Sequence, residues 1–130
     1  MSQENVEIVR RVYELAEARG VEGLLQLATE DVVWISDLRF PGGGRQDGKE
    51  NVRHWLGKLW IYDEISVVVE EIIDLGDRAL GITRFHGAST GAPPVDWPWC
   101  HLFAFNHGRI SQVQSFLGRS EALEAAGLAG

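Results

Sequence analysis

The sequence is poor in sulfur and in positive charge, and each shortage excludes a class of protein. A single cysteine, Cys100, excludes an intrachain disulfide in these 130 residues, so we expect a protein of a reducing cytoplasm. Lys and Arg number 12 against 19 Asp and Glu, and the net charge is −7. Because nucleic acids and anionic membranes select basic surfaces, neither is an expected partner.

Long apolar runs and metal-ligand spacings are also lacking. No apolar run approaches the roughly 20 residues that a membrane span requires, and the opening MSQENVEIVRR does not have the pattern of a signal peptide. The four histidines show no short ligand spacing and no cluster with carboxylates, so we expect no metal and no other cofactor. The glycines of GGGRQDGK are wrongly spaced for a phosphate-binding loop.

Hydrophobic and aromatic residues, in contrast, are plentiful. Hydrophobic residues make up 45% of the chain, and the length fits a single domain over residues 1–130. Tryptophan occurs five times, and indole rings recur where a protein lines a cavity for an apolar ligand. The composition therefore predicts one globular domain with an aromatic interior.

The hydrophobic pattern predicts helices in the first half of the chain and long strands in the second. Helical spacing is found over residues 2–20, 21–30, 49–60 and 119–130, and strand-like patterns over 31–36, 64–76, 78–90, 95–106 and 109–118. Loops are expected at 37–48 and 91–94, and a tight turn at 106–108 that needs Gly108 for its positive φ. Helices gathered on the concave face of a curved antiparallel sheet give an α+β cone with a cavity between the two layers.

The stretch VDWPWCHLFAFNHG at 95–108 places an ionisable imidazole in a row of aromatic rings. Alternate side chains of a strand share a face, which here carries Val95, Trp97, Trp99, His101, Phe103 and Phe105. Cys100 then faces the other way, as a buried and inert thiol. His101 is either a core residue hydrogen-bonded to Tyr13 or to a backbone carbonyl, or a polar group of a pocket, with an ordinary pKa that suits proton transfer.

Five stretches of the chain resemble the SnoaL-like proteins of the nuclear transport factor 2-like superfamily, relatives of ketosteroid isomerase, polyketide cyclases and limonene epoxide hydrolase. They are ENVEIVRRVYELAEARG, LATEDVVWIS, DGKENVRHWLGKLW, FAFNHGRISQVQSFLG and SEALEAAGL. The resemblance covers nearly the whole chain and implies the cone fold and a homodimer across the outer face of the sheet. Because this fold also hosts noncatalytic binders and scaffolds, function has to be argued residue by residue.

The resemblance to ketosteroid isomerases matches one of their three functional residues directly. These enzymes combine a carboxylate base with a Tyr and a protonated Asp that bind the oxyanion. Tyr13, seven residues before Gly20, matches the Tyr. The base position falls on Ser36 without a gap and on Asp37 with a bulge, and His101 stands where the family has the protonated Asp.

Two other activities of the superfamily lead to further candidates. The epoxide hydrolases activate water with an Arg flanked by two Asp, and the matching positions here are Arg84, His86 and Ser115. Both carboxylates are therefore missing, which disfavours that mechanism. The polyketide cyclases need an acid–base Asp or His in the cavity, a role that His101 or His86 could fill.

The resemblance also assigns the side chains that line the cavity. They are expected to be Leu80, Ile82, Arg84 and His86 from one strand, Trp99, His101 and Phe103 from the next, Val113, Ser115 and Leu117 from the last, and Trp34 and Trp55. Because an unpaired buried cation is costly, an inward Arg84 needs Asp37, an anionic ligand or a place at the mouth. The cavity would be apolar with a few polar groups, the usual form of a small-molecule site.

Three functions follow from these residues. The first is a cofactor-independent isomerase, cyclase or lyase in which Asp37 or His101 moves a proton beside a carbonyl, while Tyr13 and Arg84 stabilise the enolate oxygen. Its substrate contacts would be Trp34, Trp55, Arg84, His86, Trp99, Phe103 and Ser115. The second is a noncatalytic module that binds a small apolar molecule, and the third is a dimeric structural domain whose indole rings fill the cavity.

Overall fold

The computed structural model describes residues 2–39, 43–59 and 62–128. Its elements are α1 (Ser2–Glu17), α2 (Val21–Gln26), β1 (Ala28–Ser36), β2 (Gly44–Asp47), α3 (Lys49–Leu59), β3 (Glu64–Asp74), β4 (Arg78–Ser89), β5 (Ala92–Asn106), β6 (Arg109–Phe116) and α4 (Arg119–Ala125). The chain is therefore α+β, as predicted. No helix of the described ranges is long and apolar enough to cross a membrane.

The six strands form one curved sheet in the order β2-β1-β6-β5-β4-β3. Neighbouring strands are antiparallel except β1 and β6, which run parallel. The prediction of a purely antiparallel sheet is wrong at this pair. Strands β1 and β6 are joined through most of the chain rather than by a hairpin, so nothing forces them to run in opposite directions.

Three helices pack on the concave face of the sheet, because each has an apolar stripe. In α1, Val9, Val12, Tyr13 and Ala16 are buried at the spacing that places side chains on one face of a helix. Leu24 and Leu25 of α2 and Val52, Trp55 and Leu56 of α3 join them. Together with the concave side chains of the sheet they form the inner core.

The convex face of the sheet is partly covered by α4, which the prediction had placed with the other helices. Ala122 and Ala126 pack there with Leu80, Ile82, Cys100 and Phe116, a group that we call the outer core. Arg119 holds this end of the chain to Glu71 of β3 by an ion pair of 3.0 Å. The sheet is thus buried on both faces where this outer core covers β4, β5 and β6, and Cys100 faces away from His101 as expected.

Several elements end a few residues earlier than the sequence prediction, and in three places a predicted helix or loop is a strand. Residues 28–30 belong to β1 rather than to a helix, because Ala28 pairs with Ile110 of β6. Strand β2 lies within the predicted loop 37–48, and β5 begins at Ala92 within the predicted loop 91–94. The turn after Asn106 is confirmed, since Gly108 has a φ of 76°. The parts of the predictions that fall on residues 1, 40–42, 60, 61, 129 and 130 lie outside the described residues.

Candidate functional site

His101 lies at the centre of an aromatic cluster on the inner face of β5. Trp99, His101 and Phe103 alternate toward the helices and are all buried, so the predicted alternation is confirmed. The ring centroid of His101 lies 4.4 Å from that of Trp99 and 5.9 Å from that of Phe103. A third ring, Trp34 of β1, meets the imidazole edge-on at 6.3 Å. The imidazole is therefore enclosed by apolar surfaces.

A transverse row of small and polar residues crosses the sheet at the level of His101. Gly81 of β4 and Ser115 of β6 are its direct neighbours in the strand register. Ser36 lies at the end of β1, on the same side as Trp34, and is 4% exposed. Of the two residues that the sequence left open, Ser36 is therefore the one that faces inward.

Tyr13 of α1 contacts this row through its hydroxyl group. The hydroxyl oxygen lies 2.9 Å from Nδ1 of His101 in a buried hydrogen bond. On its other side it lies over Gly81, where an added Cβ would be only 2.1 Å from the hydroxyl oxygen. The close approach of helix and sheet thus requires glycine at this position. Sequence reasoning missed Gly81, since a lone glycine within a strand predicts only a bulge or a close backbone contact.

Burial keeps both members of this pair uncharged. It raises the pKa of Tyr13 well above its ordinary value, mainly through desolvation of the phenolate. Desolvation also lowers the pKa of His101 to about 3, because the interior disfavours the imidazolium cation. At neutral pH the site therefore holds a neutral phenol and a neutral imidazole.

Three buried polar atoms on the inner face have no hydrogen-bond partner among the described residues. They are Nε1 of Trp34, Oγ of Ser36 and Nε2 of His101. A buried polar group that is left unpaired costs about 1–3 kcal/mol, so native proteins keep few of them. Three on one face, around one cluster of rings, mark this part of the core as unusual.

The space beside Trp34 and His101 is small. A void of about 10 Å³ lies against Tyr13, Trp34, Trp99 and His101, and a second of about 10 Å³ lies on the apolar side of Trp34. Each has room for about one water molecule. The indole of Trp55 packs on that of Trp34 with the ring centroids 5.7 Å apart. The predicted cavity is therefore filled by its own side chains in this structure.

Asp37 does not line either of these voids, contrary to its predicted place in the cavity. Its carboxylate accepts hydrogen bonds of 2.9 and 2.6 Å from Arg39, which also binds Glu121 of α4. These bonds hold the pKa of Asp37 below its usual value. Only the backbone of Asp37 turns toward the transverse row, where its N–H donates to Oγ of Ser115 at 3.3 Å.

Arg84 and His86 lie on the convex face, so the prediction that they line the cavity is wrong. Arg84 Nε lies 2.5 Å from Oδ1 of Asp96, and His86 Nδ1 lies 2.9 Å from Oδ2 of the same carboxylate. Both side chains are more than 40% exposed. The acidic partner that Arg84 needs is thus Asp96, not Asp37.

The cause of this error is the register of β4. Its odd-numbered residues face inward, as the contact of Gly81 with Tyr13 and the place of Phe85 in the inner core show. Leu80 and Ile82, also predicted to line the cavity, belong to the outer core. A signal was present in the sequence, since an inward Phe85 leaves Arg84 in solvent and avoids a buried cation.

Two larger depressions lie outside the inner core, among the residues that the structure describes. One of about 340 Å³ lies beside Ser66, His86 and Asp96 on the convex face. Another, of about 400 Å³, lies at the start of α3 between Asp47 and Arg53 and is lined mostly by charged side chains. Within the described ranges no three His, Cys, Asp or Glu side chains gather in a way that could hold a metal ion.

Comparison with known proteins identifies relatives by sequence and by fold. A model of the SnoaL-like domain matches residues 9–113. Bal32a, from a soil-derived mobile gene cassette, is 23% identical, with a TM-score of 0.81 and coverage of 95% of this chain and 96% of that one. Among curated proteins none matches the sequence significantly.

Two further solved structures were determined with small molecules. A protein with a ketosteroid isomerase-like fold from Catenulispora acidiphila, in complex with trimethylamine, is 21% identical over 94% of this chain and 93% of that one, with a TM-score of 0.75. TerC, co-crystallised with polyporic acid, is 18% identical over 95% and 98%, with a TM-score of 0.78. At these identities the likeness concerns the fold.

Proposed function

Because the chain belongs to the SnoaL-like domain family, we propose that it binds a small, mostly apolar molecule between the concave face of its sheet and helices α1 to α3. The ligand would sit beside His101, against the rings of Trp34 and Trp99. Small-molecule binding and cyclase or isomerase chemistry are both consistent with a SnoaL-like domain of this fold. Two solved relatives were crystallised with small organic molecules, trimethylamine and polyporic acid.

The observation that carries this proposal is the group of unpartnered polar atoms on the inner face, Trp34 Nε1, Ser36 Oγ and His101 Nε2. A core selected for stability alone would replace such groups or pair them. An apolar pocket with a few convergent polar groups is the ordinary form of a ligand site. Trp34 and His101 border the same void, and a ligand there would supply the partner that their nitrogen atoms lack.

Binding is a better-supported function than proton transfer. The carboxylate of Asp37 is bound by Arg39 and lines neither void, so it supplies no base to the inner core. His101, with a pKa lowered to about 3, is a weak base at neutral pH. A neutral imidazole in an apolar site is better suited to donate or accept one hydrogen bond than to take up a proton.

A second candidate function is a structural domain with a filled core, and the void volume favours it. About 10 Å³ beside His101 does not admit a ring-sized ligand, so binding requires the helices or the rings to move.

Helix α2 is the element that could open the voids. Its Leu24 borders both of them, and the helix has 6 residues and no side-chain N-terminal cap. A short helix without a side-chain cap opens at a low free-energy cost, so we expect α2 to move when a ligand enters.

Nuclear magnetic resonance titration of the ¹⁵N-labelled protein tests the proposal. The probes are acetophenone and its isostere α-methylstyrene, each a single ring. We expect a saturable shift of the Trp34 indole N–H, a signal identified by its loss in Trp34→Phe. If neither probe shifts this signal up to its solubility limit, the ligand-binding proposal fails and the filled structural domain is favoured.

A matched pair of substitutions locates the binding. Ala16 borders the void beside His101, and Ala122 lies in the outer core. Ala16→Met should abolish the probe-induced shift, because the longer side chain occupies the void. Ala122→Met overpacks the other core to a similar degree and should leave the shift intact, provided that both variants remain folded.

A further inference from the structure

The surroundings of Tyr13 determine which hydrogen bond its hydroxyl can form. Among the described residues its one hydrogen-bond partner is Nδ1 of His101, at 2.9 Å. On the opposite side the hydroxyl lies over Gly81, at the place that a Cβ would occupy. Among the described residues, the hydroxyl therefore forms its hydrogen bond with the imidazole.

Counting protons fixes the tautomer of His101. Both groups are neutral, so the pair carries one O–H and one N–H hydrogen, and His101 has one protonated nitrogen. If Nδ1 carried the hydrogen and donated to Tyr13, both the hydroxyl hydrogen and Nε2 would be buried without a partner. If Tyr13 donates to Nδ1, only one group, Nε2–H, is left unpaired. The second arrangement leaves fewer unpaired groups and has the lower free energy.

We infer that Tyr13 is a positioning residue that holds His101 as an N–H donor at Nε2, and that the ligand of this site presents a neutral acceptor oxygen, a carbonyl group, to that donor. The inference rests on the proposed function, since it names the ligand class of the same pocket. It also changes the role predicted for Tyr13 from the sequence. The hydroxyl does not touch the ligand but acts on it through the imidazole.

Trp34 strengthens the preference for an acceptor. Its indole Nε1–H, which only donates, is also unpartnered, and both residues border the same void. The void thus has two N–H donors, from Trp34 and His101, and no cation beside it within the described ranges. An uncharged oxygen can accept a hydrogen bond from each donor with its two lone pairs. An ammonium group would face two donors, and a carboxylate would be an anion buried without a counter-charge, which is costly.

Gly81 is the residue that makes this arrangement possible. It lies directly opposite His101 in the register of β4 and β5. With any side chain at this position, the Tyr13 hydroxyl would have to leave its place over the strand, since the first added carbon already overlaps it. Gly81 thus determines the tautomer, and with it the ligand preference, without contacting the ligand.

The tautomer is measured directly by the ¹⁵N chemical shifts and long-range ¹H–¹⁵N couplings of the imidazole. We expect Nε2–H with an unprotonated Nδ1 in the native protein. Tyr13→Phe should remove this preference and give a mixture of tautomers or an Nδ1–H form. Gly81→Ala, which displaces the hydroxyl without deleting it, provides a second variant. A native Nδ1–H form would overturn the inference whether or not any probe binds.

The ligand class is measured with the same two probes in the same samples. Acetophenone should bind about tenfold more tightly than α-methylstyrene, the effect of roughly one hydrogen bond to an otherwise unpaired donor. In Tyr13→Phe the ratio should fall toward one. Equal, saturable binding of both probes to the native protein would overturn the assignment of a carbonyl ligand and leave the pocket proposal standing. If neither probe binds, the pocket proposal itself is contradicted, and the assignment of a carbonyl ligand is contradicted with it.

Discussion

The hydroxyl of Tyr13 and Nδ1 of His101 meet at 2.9 Å although 88 residues separate them in the chain. The contact joins the first helix to the fifth strand through the middle of the inner core. It places a neutral donor–acceptor pair where the surroundings are otherwise aromatic rings. The polar centre of this protein therefore exists only when α1 is docked on the sheet, and changes at this contact should affect both folding and binding.

Gly81→Ala is expected to destabilise the fold by about 1–3 kcal/mol, the usual cost of overpacking a core. The added carbon would lie 2.1 Å from the Tyr13 hydroxyl oxygen, so helix α1 must shift or the hydrogen bond must break. The free energy of unfolding in urea measures the effect.

Gly57→Ala is the matched control for this change. Gly57 lies in α3, and an added Cβ there meets nothing within 4 Å. Alanine is preferred over glycine inside a helix by about 0.5–1 kcal/mol, so this variant should be more stable than the native protein. If Gly81→Ala were also stabilising, the close approach of Tyr13 to the strand would be contradicted.

Acid should weaken the fold through His101 before it affects the carboxylates. The pKa of this imidazole is lowered from 6.5 to about 3 in the folded protein, so below pH 6.5 the unfolded chain binds a proton that the folded chain does not. The stability is complete above pH 6.5 and falls as the pH is lowered toward 3. Linkage gives a loss of about 2 kcal/mol between pH 7 and pH 5. Urea unfolding at these two pH values measures it.

His101→Gln isolates this contribution, because glutamine is a neutral side chain of similar reach. Its stability should change much less between pH 7 and pH 5 than that of the native protein. His107→Gln, in the exposed turn before β6, is the matched control, because it makes the same exchange outside the core. An unaltered slope in His101→Gln would mean that this histidine is not buried in its neutral form.

Periodicity alone was enough to predict the inner face of β5. Trp99, His101 and Phe103 alternate with residues that pack elsewhere, and the turn at Gly108 fixes where the strand ends. The family resemblance added the cone, which a list of elements does not define. On the face of β5 and on the general fold, periodicity and resemblance both agree with the structure.

The same reasoning failed on β4, for a physical reason. Residues Ala79 to Thr83 are all buried, because the outer core, with α4, covers the convex side chains of this part of the strand. A strand buried on both faces has no alternation to read. The choice between its two faces then depended on the resemblance, and it placed Arg84 and His86 inside. Tyr13 and Gly81 are far apart in the sequence, so no local pattern predicts their contact.

Asp37→Asn should leave probe binding unchanged, since the carboxylate binds Arg39 and lies away from the inner core. The stability should fall by at most about 1 kcal/mol, because Arg39 is exposed and keeps Glu121 as a partner. Titration of Trp34 with acetophenone measures the first effect and urea unfolding the second. Loss of probe binding in this variant would show that the Asp37 carboxylate contributes to the pocket.

We further propose that two copies of the chain pair through the part of the convex face that α4 leaves uncovered. Val68, opposite Arg84 in the strand register, is 49% exposed there, and contact with a second copy would bury it. Sedimentation velocity should give twice the monomer mass, and Val68→Glu should shift the protein toward monomer by burying an unpaired charge in that contact.

Val69→Glu is the control for the dimer, because Val69 is 37% exposed and pairs with Thr83, on the other face of the same strand. A glutamate at this position meets the helices' side of the sheet and should leave the mass unchanged. The two substitutions add the same charge one residue apart, so any difference between them reports the face and not the charge. A native protein that remains monomeric at every concentration contradicts the dimer, whereas equal dissociation by both variants contradicts only its location on the convex face.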